Sequence, residues 1–151
     1  NFKLPQTIVD KLVLIDSGKP TESTAEMVKL VGKGYNAKPQ EMEKTLMHIE
    51  KMTKRLVVAT VKEDVQLFAD TIAENQALLV ELGIVSQDTQ QLFEKIQEYG
   101  AGKVTGAGGN LTSSGFILFF TNDKEGLVSA LDKERIKYLP FRQDFEGLKK
   151  I

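Results

Sequence analysis

The chain has 151 residues, 41% of them hydrophobic and 27% charged, with 20 basic against 21 acidic side chains and a net charge of −1. That is the size and make-up of one globular domain with a real core, and the balanced charge leaves no electrostatic footprint for nucleic acid. No apolar run nears the roughly 20 residues that span a bilayer, no cysteine is present for disulfides or thiolate metal sites, and the lone histidine, His48, excludes a multi-histidine metal centre.

The first region predicts a strand followed by a helix. Leu12-Val13-Leu14-Ile15 is a short continuous apolar run, the pattern of a strand buried on both faces. Asp16 to Pro20 break it with turn residues, and Asp16 fits the cap of an Asp-Ser-Gly turn. Ser23-Thr24-Ala25-Glu26 has the spacing of a capping box. Met27, Leu30 and Val31 give the helix an apolar stripe, and Gly32 and Gly34 are expected to end it.

The second region is predicted helical from about residue 39 to residue 99. Pro39 suits a first helical turn, and Met42, Leu46, Ile49, Met52, Leu56 and Thr60 recur at spacings of three and four. A break is expected at Lys62-Glu63. Val65, Phe68, Ile72, Leu79 and Leu82 mark a second helix closed by Gly83, and Ser86 caps a third with Leu92, Phe93, Ile96 and Tyr99 inward. Met42, Met47 and Met52 read as core fillers, Lys51 to Arg55 as a solvated face. The pairs Glu41-Glu43 and Glu63-Asp64 read as helix-start charges rather than metal ligands.

The third region predicts strand, loop, strand, helix, strand. Lys103-Val104-Thr105 enters the loop and Gly115 to Thr121 leaves it. Asp123 caps a helix to about Glu134, and Ile136 to Leu139 forms a last strand. Strands split by a helical block imply an α+β fold, an antiparallel sheet covered by helices. Between the two strands, Gly106-Ala107-Gly108-Gly109 crowds three glycines into four positions. Such a loop can turn successive N–H groups inward around an anion, phosphate being the usual guest. It is not a Walker A loop, because no Gly-Lys-Ser/Thr follows, and a strand rather than a helix comes next. From the glycines alone, a tight turn or bulge between strands is as open as a phosphate site. Lys103 either offers its charge to such a phosphate or points to solvent, and His48 reads as a surface or boundary residue.

The order Lys103-Val104-Thr105-Gly106-Ala107-Gly108-Gly109 resembles the third conserved motif of the GHMP kinases, the superfamily of galactokinase, homoserine kinase, mevalonate kinase and phosphomevalonate kinase. Two further segments are similar to the mevalonate kinase branch. One is Asp16 to Val28, with its Ser23-Thr24 pair; the other is Asn75-Gln76-Ala77-Leu78-Leu79 followed by Leu82-Gly83-Ile84-Val85-Ser86. The resemblance covers roughly residues 10 to 132 and only the C-terminal, ferredoxin-like domain of the family. It implies one domain over residues 1–151, and the opening Asn1 fits a piece of a longer protein whose nucleotide-binding N-terminal half is absent.

The resemblance implies phosphoryl transfer from ATP, with Mg²⁺, to the mevalonate 5-hydroxyl in the intact, cytoplasmic enzyme. In that account Thr105, Gly106, Ala107, Gly108 and Gly109 border the phosphate, and Lys19, Ser23 and Thr24 border the substrate. No catalytic residue falls in this chain, which is expected to be inactive alone. An exposed apolar face is expected where the missing half docks, one able to pair isolated chains into a homodimer. After Gly109 the family continues with further glycines, whereas this chain reads Asn110-Leu111. Asn110 can hold a positive φ, while Leu111 brings bulk where the family has none. Two rivals stand beside this account: another GHMP kinase, such as a phosphomevalonate or sugar kinase, and a non-catalytic module that binds a ligand or partner.

Overall fold

The two continuous apolar runs become the two central strands of a four-stranded antiparallel sheet. A computed structural model describes residues 3–144. Strand β1 (Leu12–Asp16) pairs with β3 (Phe116–Thr121), so that Leu12 faces Phe120 and Ile15 faces Ile117. Strand β2 (Gly100–Val104) lies outside β3, and β4 (Tyr138–Pro140) outside β1, giving the order β2-β3-β1-β4. The succession strand, helices, two strands, helix, strand in this order is the ferredoxin-like arrangement, with extra helices in its first crossover.

Helices cover both faces of the sheet, which is why β1 from Leu12 to Ile15 and β3 from Phe116 to Phe120 are continuously apolar rather than alternating. Val13, Ile15, Val104, Ile117 and Phe119 face α5 (Gln87–Ile96) and α6 (Lys124–Lys133), packing on Leu92, Ile96, Leu127 and Leu131. Leu12 and Phe120 look the other way, toward α1 (Gln6–Val9), α3 (Pro39–Val61) and α4 (Val65–Glu81). There Phe68 and Phe120 stack tilted, ring centres 5.5 Å apart. The edge of β2 is covered as well: Gln76 of α4 accepts the outward N–H of Val104 at 2.8 Å, in place of a fifth strand.

Local signals set most helix ends. Pro39 occupies the first turn of α3, Asp64 caps α4 by accepting from Leu67 N–H, Ser86 caps α5 and Asp123 caps α6. Glu63 turns the chain between α3 and α4 at a φ of 53°. A 3-10 turn over Gln97–Tyr99 closes α5.

Three expectations fail. The helix after Ser23, α2 (Thr24–Ala37), runs through Gly32 and Gly34 and stops only before Pro39. Gly34 lies beside Met42 of α3, and a Cβ there would make only ordinary contact with it, so the position stays helical. On α3 the buried face holds Thr45 rather than Leu46, which is exposed along with Met47. Thr45 tolerates burial because its hydroxyl bonds the Glu41 carbonyl one turn back. Finally, β2 begins three residues earlier than predicted, since Gly100 to Gly102 extend the pairing with β3. Val57, Val58 and Val61 of α3 and Val28 and Tyr35 of α2 are further exposed apolar side chains. Among the described residues, no helix is long and apolar enough to cross a membrane.

Candidate functional site

The glycine loop divides into an open and a packed half. Thr105, Gly106 and Ala107 are exposed, and a Cβ built on Gly106 would meet nothing within 4 Å. Gly106 sits at a φ of +92° and Gly108 at +75°, conformations that favour glycine. Gly108 and Gly109 are buried. A Cβ on Gly108 would strike the Ile84 carbonyl, and one on Gly109 the Ser113 carbonyl and Pro20. The N–H of Gly109 donates to the Ile84 carbonyl at 3.0 Å. The shape of the second half is therefore fixed by its neighbours, while the first half presents bare backbone to solvent.

Those neighbours are the other two segments singled out in the sequence. Ile84 and Val85 lie between α4 and α5, where Val85 bridges Gly109. Beside them, Ser114 Oγ accepts from Ser86 N–H and donates to the Gly109 carbonyl, both at 2.9 Å. The turn after β1 closes the other side. Asp16 caps it as predicted, accepting the Gly18 N–H at 2.9 Å. Ser17 Oγ donates to the Gly115 carbonyl at 2.7 Å and accepts from Ser114 N–H at 3.2 Å, while Gly115 N–H returns a bond to the Gly18 carbonyl. A file of hydroxyls joins all three segments: Ser86 donates to Thr89 at 2.9 Å, and Thr89 to Ser17 at 3.4 Å. Ser86, Thr89 and Ser114 are almost wholly buried, so these bonds replace water that cannot reach them.

Each segment also gives a wall to one apolar hollow of about 240 Å³. Thr24, Met27, Val28 and Val31 of α2 form one side, with Ile84 and Ala107 opposite. Thr24 thus meets the loop across this hollow. Ser23 does not, for it is committed to the capping box: its Oγ takes Glu26 N–H at 3.3 Å, and Glu26 Oε2 takes Ser23 N–H at 2.7 Å. The Ser23 N–H and the Ser23 hydroxyl, which donates to the same Oε2 at 2.8 Å, hold the exposed Glu26 carboxyl below its usual pKa. Lys19 is exposed on the turn and makes no ion pair among the described residues.

The remaining charged residues settle as follows. Lys103 does not simply point to solvent; its Nζ donates to the Val104 carbonyl at 2.7 Å, and burial lowers its pKa. His48 is exposed on α3, and Arg55, at the end of the solvated run, pairs with Glu74. Among the described residues, no three acidic or histidine side chains are grouped to hold a metal. At the loop's exit, Asn110 has no positive φ, and Leu111 does not crowd the loop because its side chain is 67% exposed. Sequence reasoning missed Glu22, whose carboxylate receives the N–H groups of both residues, and it missed the half-buried hydroxyl of Ser17 and the buried ones of Thr89 and Ser114. Spacing carries no signal for these, although Ser86 lay within a segment already singled out.

A family model for the C-terminal part of GHMP kinases matches residues 56–132, half of the chain, including α4, α5, the glycine loop and β3. The chain belongs to this GHMP kinase C-terminal family. The domain is similar to the Lin0012 protein from Listeria innocua at 26% identity and a TM-score of 0.79, covering 92% of this chain and 40% of that one. It is similar in fold to L. major mevalonate kinase in complex with R-mevalonate, at 19% identity and a TM-score of 0.72, over 82% of this chain and 38% of that one. The Methanococcus jannaschii mevalonate kinase aligns at 20% identity and a TM-score of 0.65, over 87% and 39%. The GHMP domain thus spans about two-fifths of the length of these solved structures. No curated protein sequence matches it.

Proposed function

We propose that this GHMP domain forms one wall of the cleft of an ATP-dependent mevalonate kinase. The observation that carries the proposal is the convergence of the three mevalonate-kinase-like segments on a single hollow, to which each contributes a lining residue. The exposed backbone from Thr105 to Ala107 faces the transferred phosphate, and the buried Gly108 and Gly109 set the shape of the loop beside it. Thr24 and Ala107 contact the apolar part of the substrate. Lys19, free to swing on the exposed turn, supplies charge to a carboxylate, and Ser23 acts by holding Thr24 at the first turn of α2.

The reaction is transfer of the ATP γ-phosphoryl group to the mevalonate 5-hydroxyl, a step that depends on positioning and charge stabilisation. Mg²⁺ arrives with the nucleotide as part of the substrate; this domain gives it no ligand set among the described residues. The nucleotide and the residue that takes the hydroxyl proton belong to the other half of the intact cytoplasmic enzyme. The exposed Val57, Val58 and Val61 are consistent with a surface that this half covers.

Nuclear magnetic resonance on the labelled chain tests the substrate side. R-mevalonate should shift the amides of Thr24, Ile84 and Ala107 saturably, and a hexose or phosphomevalonate should not. Equal shifts with a sugar would reassign the substrate to another GHMP class, and no shift with any member of the panel would favour a non-catalytic module. The chain alone should show no ATP-dependent phosphorylation of mevalonate.

A further inference from the structure

Two consecutive N–H groups, of Asn110 and Leu111, converge on one oxygen of the Glu22 carboxylate, each at 2.8 Å. The second oxygen takes the Thr21 hydroxyl at 3.0 Å. Successive backbone N–H groups closing on one oxyanion are the means by which a nest holds phosphate. Here the anion is supplied from within the chain, across a sequence separation of 88 residues.

The first turn of α2 is already capped by Ser23 and Glu26. Neither Asn110 nor Leu111 is held by burial, since both side chains are exposed. The carboxylate is ionised in this setting. Partial desolvation works against it, but the N–H groups of Asn110, Glu22 itself and Leu111, with the Thr21 hydroxyl, together hold its pKa below the usual value.

We propose that Glu22 is a specificity-determining residue, an internal anion that fills the oxyanion nest at the exit of the glycine loop and bars phosphate from it. An incoming phosphate is then confined to the open stretch from Thr105 to Ala107. The same contact ties the substrate-side turn to the loop, so that the two shift together. Its meaning for catalysis rests on the kinase role proposed above; the occupied nest does not.

The test uses the isotope-labelled 151-residue chain, Glu22→Ala and Glu22→Gln, with inorganic phosphate as the probe. In the unaltered chain, phosphate should leave the Asn110 and Leu111 amide resonances in place. In Glu22→Ala those two resonances should shift saturably with phosphate. Without phosphate, their hydrogen exchange should be about tenfold faster, as expected for a lost charge-assisted bond. Glu22→Gln keeps the shape and an acceptor but not the charge; it should give the same phosphate response with a smaller loss of protection, and it carries the test if the alanine variant misfolds. Unchanged exchange in Glu22→Ala, or phosphate shifts at these amides no larger than in the unaltered chain, would overturn the proposal. The Gly106 and Ala107 amides answer separately for the kinase role: phosphate that moves neither of them counts against that role and leaves the Glu22 result readable.

Discussion

The two halves of the glycine loop keep their shape by different means. From Thr105 to Gly109 the chain has small residues and torsions that favour glycine, and its buried end presses backbone against backbone at Ile84. From Asn110 to Gly115 the hold comes from side chains of distant elements: Glu22 on Asn110 and Leu111, Ser17 on Ser114 and Gly115. The open entry at Gly106 is thus a property of local sequence, while the packed glycines and the exit are properties of assembly. A loop that must bring bare backbone to a ligand can be rigid without side chains of its own when its exit is pinned from elsewhere.

Substitutions at each half sharpen this contrast. The largest loss is expected for Gly108→Ala and Gly109→Ala, where the added Cβ meets backbone that cannot move aside. Each should cost about 2–3 kcal/mol, read from urea unfolding. A loss below that of a surface mutation would mean that the loop adapts freely. Ser114→Ala comes next. It strands the buried Ser86 N–H and the Gly109 carbonyl, and should cost about 1–3 kcal/mol, with faster exchange at Ser86 as its local signature. The smallest effect is expected for Leu111→Ser, within about 0.5 kcal/mol, because the side chain is exposed and the bond to Glu22 comes from the backbone N–H, which the variant keeps. A large loss there would show that the exit depends on packing after all.

Much of the architecture was legible because it depends on neighbours in sequence. The capping box at Ser23, the proline start of α3, the caps at Ser86 and Asp123 and the apolar runs of β1 and β3 all formed where local chemistry placed them. Errors fell where a distant partner overrode a local rule. Strand β2 begins at Gly100 because β3 pairs with it from there, and Thr45 rather than Leu46 takes the buried face of α3, its hydroxyl satisfied by a carbonyl one turn back. At the site, the three segments were visible one by one. Their meeting, and the role of Glu22 within it, was not, since no periodicity links residue 22 to residues 110 and 111.

Sequence alone therefore determined the order of elements, the glycine loop and the family resemblance, all of which rest on short-range patterns of size, polarity and torsional freedom. Only the tertiary structure decided which glycines stay open and which are packed, and which carboxylate takes the N–H groups at the loop's exit. The reason is physical: a buried hydrogen bond or a close backbone contact is made by whatever the fold brings within about 3 Å, however far apart the residues stand in the chain.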